Sequence, residues 1–191
     1  MLPRVRVCFF GDSLTLGVGD PAGVGWVGRI TAAARQTGRD LTAYNLGVRR
    51  DTALDVARRW RDEARVRLVD GEPAGVVFAV GTNDIALGHA GSRTLAVLGD
   101  LLGGCRWPAL VVGPPPVGAE DETARARELG AGMAELCVAR GVPYVDVLTP
   151  LEADPVWRQE VAAGDAYHPS ARGYERFAGV VSGPLLPWLA R

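Results

Sequence analysis

The stretch RVRVCFFGDSLTLGVGD, residues 4–20, contains the largely apolar run VRVCFF at residues 5–10, and this run stops abruptly at Gly11. A short run that is rich in valine and aromatic residues and ends in glycine is typical of a buried β-strand. A carboxylate and a hydroxyl, Asp12 and Ser13, follow directly. Taken alone, this pair predicts a polar turn or a helix cap. The pair also suits a strand whose tip holds a nucleophile, so the rest of the chain has to decide.

Four more apolar runs of strand length follow, at residues 41–47, 74–81, 109–113 and 143–147. Helical patterns lie between or after them, at residues 26–38, 51–68, 92–102, 121–141 and 170–189. Asp51 and Ser170 are predicted to begin two of these helices, and Pro184 is predicted to break the last one late. Strands that are buried on both faces and alternate with helices predict a parallel sheet in a three-layer α/β/α sandwich.

Size and composition predict a soluble globular protein. The 191 residues can bury one sizeable core, so we expect one domain over residues 1–191. A formal net charge of −1 gives no electrostatic reason to expect nucleic acid or an anionic membrane as a partner. All 21 basic residues are arginine, which excludes lysine chemistry such as Schiff bases or a P-loop lysine.

Cysteine spacing and hydropathy give no sign of disulfides, a metal site or a membrane span. The three cysteines, Cys8, Cys105 and Cys137, show no C-x-x-C spacing, so we interpret them as small buried hydrophobic residues. We expect neither a disulfide framework nor a metal site. No apolar run approaches the length of a membrane span, and the N-terminus lacks a signal-peptide pattern. We therefore expect a cytoplasmic protein without stable membrane insertion.

Chemistry-bearing residues follow the predicted strands. Ser13 follows the first strand, Gly47 ends the second, and Asn83 lies in the GTND motif after the third. Asp165 and His168 lie in GDAYHP, after the fifth strand and one further helix. Ligands of parallel α/β sheets bind beyond the carboxyl ends of the strands, so we expect these five residues to meet at one edge.

Each of these residues also has a simpler interpretation. Ser13 and Asp165 are suited to capping a turn, Gly47 to ending a strand, and Asn83 to an Asx-turn. His168 could be a surface residue. These interpretations do not explain why all five occur in one order at strand ends. The chain has one other histidine, His89, which we interpret as a loop residue because no acid closely precedes it.

The motifs together resemble those of the SGNH hydrolases, also called the GDSL lipase/acylhydrolase family. FFGDSLTLG resembles the first block, Gly47 in YNLGVRRDT the second, VGTNDI the third and DAYHPSARGY the last. The resemblance spans residues 7–174. It implies a flavodoxin-like, five-stranded parallel sheet of order 2-1-3-4-5.

The resemblance also implies a role for each site residue. Ser13 would be the nucleophile, His168 the general base and then acid, and Asp165 the carboxylate that orients His168. The oxyanion hole would consist of the Ser13 N–H, the Gly47 N–H and the Asn83 side-chain amide. The chemistry is consistent, since a serine hydroxyl needs a base and the anionic intermediate needs hydrogen-bond donors. No cofactor and no metal are implied, and Asp12 is expected to brace the loop.

The leading hypothesis is a serine esterase that acts on small or short-chain acyl esters through an acyl-enzyme. A thioesterase or an acyltransferase could use the same site. A small-molecule binding module that has lost activity is a further alternative, as is a phosphate-binding Rossmann-type protein. The Rossmann alternative is the weakest, because no G-x-G-x-x-G opens a helix directly after a strand. The oligomeric state does not follow from the sequence.

Overall fold

The computed structural model describes residues 4–189, which contain a five-stranded, all-parallel sheet. The strands are β1 (Val5–Gly11), β2 (Leu41–Gly47), β3 (Ala74–Ala79), β4 (Ala109–Val112) and β5 (Tyr144–Val145). Their spatial order is β2-β1-β3-β4-β5, which confirms the predicted 2-1-3-4-5 topology. Each predicted strand is present, and the last three are shorter than the apolar runs that predicted them.

Helices cover both faces of this sheet and complete the three layers. They are α1 (Ser13–Leu16), α2 (Gly25–Gln36), α3 (Ala53–Arg65), α4 (Thr82–Ala86), α5 (Gly91–Gly103), α6 (Glu120–Arg140), α7 (Leu148–Ala153), α8 (Pro155–Ala163) and α9 (Ala171–Trp188). Within residues 4–189, no helix combines the length and the apolar character needed to cross a membrane.

Alternating side chains of β1 enter two separate hydrophobic cores. Val7 and Phe9 pack with residues of α2 and α9, whereas Cys8 and Phe10 pack with residues of α3, α5 and α6. All four side chains are fully buried. This is the expected result for a central strand, because successive side chains point to opposite faces of the sheet. Full burial of one such apolar side chain stabilises the fold by about 2–3 kcal/mol.

The register of the sheet places three loops at one edge. Gly11, the last residue of β1, is paired with Gly47 at the end of β2 and with Ala79 at the end of β3. The residues that follow these three strands therefore emerge side by side. This edge is where the sequence analysis expected the site.

The N-cap of α3 differs from the prediction. Thr52, not Asp51, is the N-cap, and its side chain accepts the N–H of Asp55 while the Asp55 side chain accepts the Thr52 N–H. This reciprocal capping box satisfies two orphan donors at once. Asp51 is engaged elsewhere, since its carboxylate binds Arg59.

The C-terminal third also departs from the prediction in two places. The segment between β5 and GDAYHP holds two helices, α7 and α8, rather than one, because Asp154 caps a new helix that begins at Pro155. Helix α9 continues past Pro184 instead of breaking there. Leu185 and Trp188 lie in the core, and their burial outweighs the backbone hydrogen bond that a proline removes.

Candidate active site

Ser13 occupies the first position of α1, directly after β1. Asp12 is the N-cap, and its Oδ1 accepts the N–H of Leu14 at 2.9 Å, so the carboxylate braces the loop as predicted. Gly17 ends the short helix in the left-handed conformation, with φ of 96°. This strand–cap–helix arrangement fixes the Ser13 side chain at the edge of the sheet.

Asp165 organises the segment that carries His168. Its Oδ1 accepts the backbone N–H groups of Tyr167 at 3.0 Å and His168 at 2.9 Å. Its Oδ2 lies 2.7 Å from Nδ1 of His168. One carboxylate therefore folds the loop and orients the imidazole. Ala166 adopts a positive φ of 68° inside this turn, and its carbonyl accepts the Gly118 N–H at 2.7 Å.

The structure brings Ser13 and His168 together although 155 positions separate them. Nε2 of His168 lies 2.8 Å from Oγ of Ser13, within ordinary hydrogen-bond distance. Gly19, in the loop after α1, allows this approach because a Cβ there would lie 2.6 Å from the Pro169 carbonyl and 3.0 Å from the His168 Cβ. Ser13, His168 and Asp165 thus form one continuous chain of hydrogen bonds.

The Asp165 carboxyl remains ionised at neutral pH. Partial burial favours its neutral form, but hydrogen bonds from the His168 ring and from the backbone N–H groups of His168 and Tyr167 outweigh that effect. The pKa of Asp165 falls to about 2. The ionised Asp165 carboxylate favours the His168 tautomer that carries its proton on Nδ1. In that tautomer, Nε2 is free to accept a proton from Ser13.

Gly47 lies against α1. A Cβ at this position would clash with the Leu16 backbone and lie 2.7 Å from the Asp12 carbonyl, so only glycine allows the two segments to touch. The Gly47 N–H donates to Oδ1 of Asn45 at 3.1 Å. The amide of Asn45 donates in turn to the Thr15 carbonyl at 2.9 Å. The Gly47 N–H, which the sequence analysis predicted as an oxyanion donor, thus lies beside the helix that begins at Ser13 and is bonded to Asn45 in this structure.

Asn83 lies in the first turn of α4, after β3. Its Nδ2 donates to the Asp51 carbonyl at 3.0 Å and lies 3.4 Å from Oδ2 of Asp12. Asp12 directly precedes Ser13, so the Asn83 amide lies beside the loop that carries Ser13. All five residues predicted for the site therefore lie at the same edge of the sheet.

Asp12 has an unusual ionisation. Its carboxyl is buried, and this desolvation raises its pKa to about 7 despite hydrogen bonds from backbone N–H groups. The nearby Asp51 carboxylate adds to the rise. Asp12 therefore changes its charge near neutral pH, so its titration can contribute to the pH dependence of any reaction at this site.

His89 has an acidic neighbour, which corrects the sequence analysis. Its Nδ1 lies 3.7 Å from Oδ1 of Asp84, which is five residues earlier in the chain. Asp84 itself is buried and accepts hydrogen bonds from the Ala53 N–H and the Thr94 hydroxyl. These bonds tie α4 to the starts of α3 and α5. We interpret the cluster as a structural tie between helices.

Sequence reasoning missed two of the residues that support the site. Asn45 was visible two positions before Gly47 but received no role of its own, although an Asn there can bond to the N–H of the glycine at the strand end. Nothing in the sequence distinguishes Arg59 from the other charged residues around it on α3. In the structure, Arg59 binds the carbonyls of Gly11 and Leu46 at the ends of β1 and β2.

Comparison with known structures shows the same fold at low sequence identity. The lipase/acylhydrolase from Enterococcus faecalis aligns with a TM-score of 0.82 and 22% identity, over 96% of each chain. The psychrotrophic esterase EstA from a Pseudoalteromonas species aligns with a TM-score of 0.77 and 15% identity, over 97% of this chain and 99% of that one. An acetylxylan esterase from Geobacillus stearothermophilus aligns with a TM-score of 0.75 and 16% identity, over 95% and 94%.

No curated protein sequence matches the chain. The model of the GDSL-like lipase/acylhydrolase family, however, matches residues 9–176. This region contains the loop after β1, the ends of β2 and β3, and the segment with Asp165 and His168. Because the match covers most of the chain, the protein belongs to the GDSL-like lipase/acylhydrolase family of carboxylic ester hydrolases.

Proposed function

We propose that the protein is a serine esterase that cleaves small acyl esters through Ser13, His168 and Asp165. The observation that carries this proposal is the continuous hydrogen-bond chain, 2.8 Å from Ser13 Oγ to His168 Nε2 and 2.7 Å from His168 Nδ1 to Asp165. A serine hydroxyl becomes a nucleophile when a base takes its proton, and this geometry supplies the base.

The reaction follows from these distances in two halves. In the first, Nε2 of His168 takes the Ser13 proton while Oγ bonds to the ester carbonyl carbon, whose oxygen becomes anionic. The intermediate then collapses, the C–O bond to the alcohol breaks, and His168 protonates the leaving alcohol. In the second half, His168 activates a water molecule that attacks the acyl-serine. The acid leaves, and Ser13 recovers its proton.

The anionic oxygen of each intermediate requires donors that are already in position. The backbone N–H of Ser13 lies in the first turn of α1, where N–H groups have no intrahelical acceptor. The Gly47 N–H and the Asn83 amide lie beside that turn. The Gly47 N–H donates to Asn45 Oδ1 in this structure, and it completes the proposed oxyanion hole by turning from that acceptor to the anionic oxygen. Loss of one such donor typically raises the barrier by about 3–4 kcal/mol.

The space beside the site favours a small acyl group. A cavity of about 10 Å³ lies near the site, and its lining includes Thr82 and Tyr167, the chain neighbours of Asn83 and His168, but none of the five site residues. Such a volume is roughly that of one water-sized probe. The Tyr167 ring forms part of the cavity wall, and the Tyr167 hydroxyl donates to Glu122, which also lines the cavity, at 2.8 Å. A much larger cavity, of about 720 Å³, lies at the opposite edge of the sheet, beside Val5, Ala74 and Ala109 at the start of the strands.

A series of p-nitrophenyl esters tests this size limit. We expect kcat/KM to fall from acetate through butyrate to octanoate. Tyr167→Ala should shift the preference toward butyrate because it removes a ring that forms part of the cavity wall beside His168. Tyr167→Phe, the matched control, keeps the ring and loses only the bond to Glu122, so it should retain the acetate preference. A wild-type preference for octanoate would contradict the proposed substrate size.

The proposed chemistry requires no metal ion. Among residues 4–189, no cluster of three histidine, cysteine or acidic side chains could hold one. In this mechanism, N–H donors rather than a metal ion stabilise the negative charge on the carbonyl oxygen of the intermediate. We expect prolonged treatment with EDTA to leave kcat/KM for p-nitrophenyl acetate unchanged. A loss of activity that added zinc or manganese restores would overturn this mechanism.

A further inference from the structure

Arg59 connects the ends of β1 and β2 from its place on α3. Its Nη2 donates to the Leu46 carbonyl at 2.8 Å and to the Gly11 carbonyl at 3.3 Å. Its Nε donates to the Asp51 carboxylate at 2.7 Å. We propose that Arg59 is a positioning residue for the oxyanion hole, an inference that rests on the function proposed above.

The first link runs through the peptide group between Leu46 and Gly47. This group is planar, so the direction of its carbonyl also sets the direction of its N–H. Arg59 holds the Leu46 carbonyl, and the N–H at the other end of the same plane is the proposed donor of Gly47. The guanidinium therefore fixes a donor that it does not itself touch.

The second link runs through Asp51. The Arg59 guanidinium binds the Asp51 carboxylate, and the backbone carbonyl of Asp51 accepts from Asn83 Nδ2 at 3.0 Å. The position of Asp51 therefore sets the position of the Asn83 amide. One side chain thus supports two of the three proposed donors, and the Gly11 carbonyl ties it to the loop that leads to Ser13.

The surroundings of Arg59 make these contacts rigid. Its side chain is 21% exposed, and its guanidinium carbon lies 5.7 Å from the centre of the Phe10 ring. Its Nη1 donates to Glu63 at 2.8 Å, one turn further along α3. A planar fork with five fixed donors can satisfy carbonyls and carboxylates in several directions at once, which a lysine ammonium cannot do with the same geometry.

The kinetics of Arg59 variants show whether Arg59 positions the oxyanion donors or only stabilises the fold. Because the oxyanion forms only after substrate has bound, Arg59→Ala should lower kcat by about 10- to 100-fold, while KM changes little. Arg59→Lys keeps the charge and most of the packing, so it should fold and still show most of that loss. Free guanidinium ion, added far below denaturing concentrations, should restore part of the kcat of Arg59→Ala and leave Arg59→Lys unchanged.

Arg67→Ala is the matched control. Arg67 follows α3, is also partly exposed, and donates to the Glu63 carbonyl at 2.7 Å, but it bonds to neither strand end nor to Asp51. Because Arg59 also binds Glu63, this variant controls for any disturbance of Glu63 alone. This variant should keep the wild-type kcat. Complete labelling with a fluorophosphonate counts the enzyme molecules that retain a reactive serine, so kcat can be expressed per competent site for every variant.

Several outcomes would overturn the inference. One is a wild-type kcat per labelled site in Arg59→Ala and Arg59→Lys, and another is an equal loss of kcat in Arg67→Ala. A change confined to KM would equally exclude a role in holding the oxyanion donors. The proposed function fails in a different way, namely through ester hydrolysis by Ser13→Ala, so the two failures are distinguishable.

Discussion

Ser13→Ala is expected to lower kcat/KM for p-nitrophenyl acetate by about 10⁴- to 10⁶-fold, the range typical of a lost serine nucleophile. Without Oγ, no covalent intermediate can form, and His168 has no hydroxyl to deprotonate. The fold should persist, because the Ser13 side chain is only half-buried and the cap of α1 is supplied by Asp12. Steady-state kinetics and a thermal melt of the purified variant measure both effects.

Covalent labelling provides the second readout for this prediction. A fluorophosphonate should modify wild-type protein at one site, and mass spectrometry of the peptides should place the label on Ser13. Ser92→Ala, at the exposed start of α5, is the matched control and should label and hydrolyse like the wild type. Substantial hydrolysis by Ser13→Ala, or a label on another serine, would remove Ser13 from the mechanism.

His168→Ala should cost about 10⁴-fold or more in kcat/KM, because the base that activates Ser13 is lost. His89→Ala should retain most of the wild-type rate, since His89 lies beside Asp84 in the tie between α3, α4 and α5. Both variants replace a histidine by alanine, so His89→Ala is the matched control for His168→Ala. An inactive His89→Ala together with an active His168→Ala would show that the proposed hydrogen-bond chain is not the catalytic one.

The pH dependence of the wild type should show the same base. The imidazole must be neutral to accept the Ser13 proton, so kcat/KM should climb from weakly acidic to mildly alkaline pH and then level. Asp165 does not contribute to this limb, since its pKa of about 2 keeps it ionised throughout the range. Asp12 needs its own control, because burial raises its pKa to about 7.

Asp12→Asn separates the two titrations. The variant keeps a side-chain oxygen that can cap α1 and removes the ionisable group. If His168 is the base, the rising limb should remain at the same pH in this variant, whatever its absolute rate. A profile that becomes flat in Asp12→Asn would assign the limb to Asp12 and contradict the role proposed for His168.

The sheet and its order could be predicted from the sequence because the signal is local and strong. Runs such as AGVVFAVG, residues 74–81, contain no polar side chain, and this pattern is typical of a strand that is buried on both faces. The first three runs end at or directly before a glycine, namely Gly11, Gly47 and Gly81, so the positions of Ser13, Gly47 and Asn83 at strand ends were also predictable. The family resemblance then supplied the strand order, which the structure confirms.

Local patterns were less informative where the tertiary contacts compete with them. The predicted break at Pro184 is absent because Leu185 and Trp188 are anchored in the core, and burial of that size exceeds the cost of one lost hydrogen bond. The predicted cap at Asp51 is absent because Arg59, eight residues later, captures that carboxylate. In both cases, tertiary contacts decided where the helix begins or ends, and the local sequence pattern does not contain them.

The sequence by itself determined the fold class, the order of the motifs and the five residues that meet at one edge of the sheet. Only the tertiary structure decided how those residues are held. The 2.8 Å contact between Ser13 and His168 and the bonds from Arg59 to two strand ends join segments that lie far apart in the chain. Periodicity and capping rules describe neighbours within a turn or two, so they carry no information about a hydrogen bond that forms only when the sheet assembles.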